Sequence, residues 1–156
     1  SLWMTRFSRC ISLLLTLSMT AAAVMGKGKD AFMLDEGVRK DYALTIESPD
    51  MSFTGICVMR QMSDTVAGTV VNEFGLKAFD FIYLMSKRKI KLKNVVKFLD
   101  RWYIKSTLKG DLKCLLGGSK PSHRGLDIGA DSTVRLANRR RGLTYIFTPI
   151  KQPSIK

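Results

Sequence analysis

His123 is the single histidine of the chain, and it stands in a Ser-Lys-Pro-Ser stretch beside Arg124. A nucleophilic triad would pair it with Ser119 or Ser122, yet no carboxylate is fixed to orient it and no oxyanion hole is indicated. Catalysis needs the whole constellation, so His123 reads as a solvated loop histidine, and no catalytic residue is expected. Metal chemistry is equally thin. One histidine with distant cysteines gives no recognised ligand spacing, and no metal or cofactor is expected. Gly110 and Gly117-Gly118-Ser119-Lys120 are superficially like a phosphate loop. That motif needs four residues between its glycines, a Gly-Lys-Ser/Thr ending and a preceding strand. Here six residues intervene, Ser precedes Lys, and a helical stretch comes first. Asp80, set between Phe79 and Phe81, would have a raised pKa if buried. Strand alternation places it on the opposite, outward face.

The remaining chemistry is charge. Lys87, Lys89, Lys91 and Lys93 project from one strand face with Arg88 beside them, and Arg139-Arg140-Arg141 follows Arg135 in a late turn. The net charge is +13, which favours anionic surfaces or ligands as partners. Lysines also protect exposed edge strands, so a solvated strand face is the plainer reading. Nucleic-acid binding would call for aromatics exposed between the cations. Phe79, Phe81 and Tyr83 lie in the neighbouring strand, and no nucleic acid is expected.

The N-terminus sets the context for that charge. Arg6 and Arg9 precede Cys10–Met25, sixteen residues without a charge. A spanning helix needs about twenty. A basic start, a short apolar run and the small residues Ala21, Ala23 and Gly26 describe a secretory signal over residues 1–26. Cys10 precedes the apolar run, so no lipid-attachment cysteine is visible. Removing Arg6 and Arg9 lowers the charge from +13 to +11 and leaves Cys57 and Cys114. These form either a disulfide, as export allows, or two buried thiols acting as small hydrophobes.

The elements that must position these groups are legible by period. The segment from Lys27 to Lys40 reads as a leader entering a short helix. Tyr42–Ser48 alternates, and Ser48-Pro49-Asp50 turns it. Phe53, Gly55, Cys57 and Met59 share one face of a strand over Ser52–Arg60, and Thr65–Asn72 is a second β-branched run. In Lys77–Met85, Phe79, Phe81, Tyr83 and Met85 alternate against Ala78, Asp80, Ile82 and Leu84. Ile90 and Leu92 then alternate with the lysines. Four short strands with short turns predict an antiparallel meander. Asn94 is placed to cap a helix bearing Val95, Phe98, Leu99 and Trp102. After a break at 104–107, a second helix carries Leu108, Leu112, Leu115 and Leu116 opposite Lys109, Asp111 and Lys113. Two strands around the Asn138–Gly142 turn follow, with a frayed tail over residues 149–156. At 156 residues and 46% apolar composition, one α+β domain over residues 27–148 is predicted. Phe79, Phe81 and Tyr83 are expected to face the helices that bear Phe98 and Trp102.

A signal segment, the strands "FTGICVMR", "TVAGTVVNEFGLKAFDFIYL" and "KRKIKLKNV", and then "VVKFLDRWYIKSTLKGDLKCLL" form an order of elements that resembles the LolA/LolB-like exported proteins of Gram-negative bacteria, which carry or receive lipoproteins. The likeness runs over Tyr42–Leu116. It implies a curved antiparallel sheet, an incomplete β-barrel, with a helical segment on its inner face and an apolar cavity for acyl chains. It implies no catalytic residues. Phe53, Met59, Phe79, Phe81, Tyr83 and Met85 are the candidate cavity residues, and Lys87, Arg88, Lys89, Lys91 and Lys93 the candidate contacts to an acidic membrane surface. The function expected is non-enzymatic binding of a lipid or lipidated protein in the periplasm or cell envelope. The alternative is a closed-core structural or protein-interaction module, in which the same side chains simply pack under the helices.

Overall fold

The computed structural model describes residues 31, 32, 34–117 and 123–151. The expected signal segment 1–26, Ser119, Ser122 and residues 152–156 lie outside the described residues. Among these residues eight strands form one antiparallel sheet: β1 Arg39–Glu47, β2 Ser52–Met62, β3 Thr65–Asn72, β4 Lys77–Leu84, β5 Lys89–Lys93, β6 Arg124–Ile128, β7 Val134–Asn138 and β8 Leu143–Pro149. Their order is β5-β4-β3-β2-β1-β8-β7-β6. The sheet curls into a half-barrel, the shape the resemblance implied, with β5 and β6 at its two edges.

That order dictates where the helix lies. The chain leaves the sheet at one edge, β5, and returns at the other, β6, so the connection must cross the sheet. A single helix, α1 (Trp102–Gly117), makes the crossing and packs against β5 and β7. Its 16 residues span about 24 Å. Leu108, Leu112 and Leu115 are buried beneath it, each worth roughly 1.5–3 kcal/mol.

The inner face is continuous because the registers align it. Met59, Gly68, Phe81 and Leu92 face one another across β2 to β5, and Phe53, Ile46, Tyr145 and Leu136 across β2, β1, β8 and β7. Gly68 is required in its row. A Cβ there would stand 2.2 Å from Cζ of Phe81, so the missing side chain is the space the Phe81 ring fills. Cys57 and Cys114 are both buried as thiols. Burial, then the negative charge of Asp41, pushes the Cys57 thiol up to about 12, so it packs as a neutral hydrophobe.

Several expectations are corrected. No helix forms between residues 34 and 40; Glu36 bridges Gln61 instead, and β1 begins at Arg39. The leader still packs: Phe32 is buried edge-on against Tyr42 and Phe147, both at 5.1 Å between ring centres. Asn94 does not cap a helix. It adopts φ +50°, and its amide donates to Asp80 at 2.6 Å, turning the chain out of β5. Only a 3-10 turn, Lys97–Leu99, precedes α1. The helix runs unbroken through residues 104–107 and through Gly110, because crossing the sheet buries enough apolar surface to outweigh the roughly 1 kcal/mol cost of one glycine. The strand β6 is not among the predicted elements, since its sequence, RGLDI, alternates too weakly to announce it. Pro149 pairs with Tyr42, and the Ile150 amide donates to the Asp41 carbonyl, so the sheet extends into the expected tail.

Asp80 does face outward, but it is half-buried and accepts bonds from Thr69 (2.7 Å), Lys77 (3.0 Å) and Asn94 (2.6 Å). Burial alone would raise its pKa; the bonds from Asn94, Thr69 and Lys77 outweigh it and hold the carboxyl below its ordinary 3.8. On acidification the unfolded chain therefore protonates first, and stability falls with pH. The contribution of Asp80 is complete above about 3.8 and is lost as the pH falls through its lower folded value. Urea unfolding between pH 2 and 6 should show that acid loss in the wild type and a shallower one in Asp80→Asn.

Candidate functional site

Antiparallel order gathers alternate turns at one end of the half-barrel. The β1–β2 turn, the β3–β4 turn, the β7–β8 turn and the segment from β5 to α1 share that end. A cavity of about 250 Å³ opens there, between the inner face and the start of α1. Ile46, Phe53, Val70 and Phe79 form its floor, and Leu99, Tyr103, Ile104 and Leu108 form its roof. The lining is almost wholly apolar, and among the described residues Arg141 is its single charged one.

The mouth is rimmed by side chains that a closed core would have taken in. Phe98 (64% exposed), Met51 and Tyr103 line the cavity and are exposed, and Phe74 (79%) and Leu76 in the β3–β4 turn and Trp102 (80%) at the start of α1 are exposed on segments that share this end. Trp102 and Tyr103 meet edge-to-face at 5.7 Å. Large apolar side chains exposed beside an apolar cavity point to an interaction site, and aromatics with a polar edge suit a boundary between oil and water.

The candidate cavity residues are thus divided. Phe53 and Phe79 line the cavity. Phe81 and Tyr83 share the inner face with Phe79, as period two requires, but with Met59 they lie in the filled part of the core, and Met85 packs at its margin. The helix they face is α1, through its buried later turns, whereas Trp102 at its first residue and Phe98 before it are exposed. The candidate surface cations hold their expected place: Lys87, Arg88, Lys89, Lys91 and Lys93 are all exposed, along β5 and the turn before it.

A buried polar cluster was not foreseen. Asp111 of α1 has no exposure at all. Its carboxylate accepts from Nε of Arg124 at 2.7 Å, from Nδ2 of Asn138 at 2.8 Å and from the Tyr145 hydroxyl. Helix, β6, β7 and β8 are thereby tied at one point. Burial, then the charge and hydrogen bond of Asp111, holds the Tyr145 hydroxyl well above its ordinary pKa, so it stays a donor. The sequence carried the signal: residues 108, 111, 112 and 115 form one helical stripe. Placing Asp111 with Lys109 and Lys113 on the polar side gave its charge more weight than its position.

His123 sits half-exposed at the edge of this cluster, its carbonyl accepting from the Arg139 amide. Desolvation, then the positive charges of Arg140 and Arg124, lower its pKa against the pull of Asp111. Both oxygens of Asp111 are engaged by Arg124, Asn138 and Tyr145, an arrangement that braces a fold. Among the described residues, no three His, Cys, Asp or Glu side chains group closely enough to hold a metal ion.

No protein-family model matches the chain, and no curated protein matches it. The site is therefore read from its own geometry.

Proposed function

We propose that this is a non-enzymatic, exported cell-envelope protein that binds a lipid or lipidated partner through an acyl chain held in the cavity under α1. The observation that carries the reading is an apolar cavity that opens between exposed aromatics at one end of a half-barrel. Apolar lining rewards a ligand without hydrogen-bonding groups, and the rim lets a chain pass from a membrane to the cavity without crossing water. The lysines of β5 would meet acidic headgroups. The short apolar run after Arg6 and Arg9 supports export to the periplasm or cell envelope.

At about 250 Å³ the cavity falls just under the usual 300–1,000 Å³ of small-molecule sites. It suits a segment of one chain, and a longer ligand would displace the start of α1. The filled core around Met59, Phe81 and Tyr83 favours the second reading, a closed-core interaction module whose aromatic rim meets a protein. Titration with a fluorescent fatty acid separates the two. Saturable binding is expected, weakened at least tenfold by Ile104→Trp, which fills the cavity from its half-buried roof at little cost in stability. Mass spectrometry of the protein from its native host should show co-purifying lipid. Absence of both would leave the closed-core module standing.

A further inference from the structure

Among the described residues the cavity lining contains a single charge, and its placement is built. Arg141 lies in the turn between β7 and β8. Its backbone amide donates to Oδ1 of Asn138 at 3.2 Å, while Nδ2 of the same Asn138 donates to Asp111 at 2.8 Å. Gly142, at φ +68°, takes the left-handed conformation the turn needs beside Pro49. The buried cluster that fastens α1 therefore also fixes the turn that presents Arg141 to the mouth. Among the described residues Arg141 makes no ion pair, whereas Arg124 is held by Asp111 and Arg39 by Asp41. Arg141 is exposed on its outer side, so it keeps its hydration until a ligand arrives. A guanidinium offers a planar fork of donors that matches carboxylate and phosphate.

We infer that the cavity selects a single-chain anionic amphiphile, its acyl chain under α1 and its acidic headgroup on the guanidinium of Arg141. This rests on the cavity being an acyl-chain site and adds what the headgroup must be. A neutral headgroup would offer the guanidinium no opposite charge, whereas an acid pairs with it. A fatty-acid carboxylate and a lysolipid phosphate present the same chemistry, and probes of equal chain length tell them apart.

Calorimetric titration with decanoic acid, decyl phosphate, decanol and inorganic phosphate tests this on the protein and on Arg141→Gln. One charge-assisted hydrogen bond at an exposed site corresponds to about a tenfold gain in affinity. Decanoate or decyl phosphate should therefore bind about tenfold tighter than decanol. The better of the two names the headgroup, and raising the salt should narrow the gap. Arg141→Gln should bring the ratio of acid to alcohol affinity to about one. Inorganic phosphate alone should bind far more weakly than either amphiphile. Equal binding of acid and alcohol, or an acid preference that survives Arg141→Gln, would overturn the headgroup assignment and leave the acyl cavity intact. Phosphate binding without any binding of the alkyl probes would overturn both readings and show a bare anion site. Failure of all four probes would overturn both as well.

Discussion

Asp111→Ala should destabilise the protein by about 3–5 kcal/mol, the range for removing one partner of a buried ion pair. The alanine leaves the Arg124 guanidinium, nearly buried, without its carboxylate. It also strands the Asn138 amide and the Tyr145 hydroxyl, each of which donates to Asp111. No buried side-chain nitrogen or oxygen among the described residues lacks a partner, so this variant would create the first such defects. Tyr145→Phe removes one donor and leaves the carboxylate two others, which should cost only about 1 kcal/mol. Guanidinium unfolding of both single variants and the double variant measures the coupling. A loss under 1 kcal/mol for Asp111→Ala would show that the cluster does not fasten α1. Arg141 depends on the same brace, so Asp111→Ala should also weaken acid-headed amphiphiles in whatever fraction stays folded.

Phe81→Ala should cost about 3–5 kcal/mol, the range for truncating a packed phenylalanine. The ring is 1% exposed, lies over the bare backbone of Gly68, and stands 6.4 Å from Phe79 between ring centres. Backbone on one side and a neighbouring ring on the other leave little to collapse into the gap. Because Phe81 lies in the filled part of the core rather than in the lining of the cavity, fatty-acid binding by the folded variant should stay within a few-fold of wild type. Phe53→Ala gives the opposite pattern: the side chain is half-buried at the cavity wall, so stability falls less and ligand affinity changes more. Denaturant unfolding with probe titration on both variants separates packing from binding. Loss of binding in Phe81→Ala at unchanged stability would place the ligand deeper than the cavity does.

Most of the sheet was legible because alternation is a local property. Phe53-Gly55-Cys57-Met59 and Phe79-Phe81-Tyr83 each declare an inner face through their own spacing, and the structure places both sets inward. Lys89, Lys91 and Lys93 likewise announced the outer face of an edge strand. The five residues of β6 were missed for the converse reason. Pairing with β7 decides their conformation, and nothing in RGLDI does so alone.

The helix shows where local reading stops. Gly110 and the β-branched residues near 107 weaken helix propensity, yet α1 runs straight through them. Its register against the sheet, rather than its composition, decided that Trp102 stays outside while Leu108 and Leu112 go in. Asp111 is the sharpest case. Helical period puts it on the buried stripe, but only strands β6, β7 and β8, arriving from residues 124, 138 and 145, supply the donors that let a carboxylate stay there. Nor could alternation tell a lined cavity from a filled core. Phe79 and Phe81 are two residues apart on one face, and one borders open space while the other is packed against Gly68. The sequence by itself determined the strand faces, the antiparallel meander and the basic edge, since each follows from periods two and 3.6 along a few residues. The tertiary structure alone decided the course of α1, the burial of Asp111 and the placing of Arg141 at the mouth. Those depend on contacts between residues far apart in the chain, whose geometry no local pattern encodes.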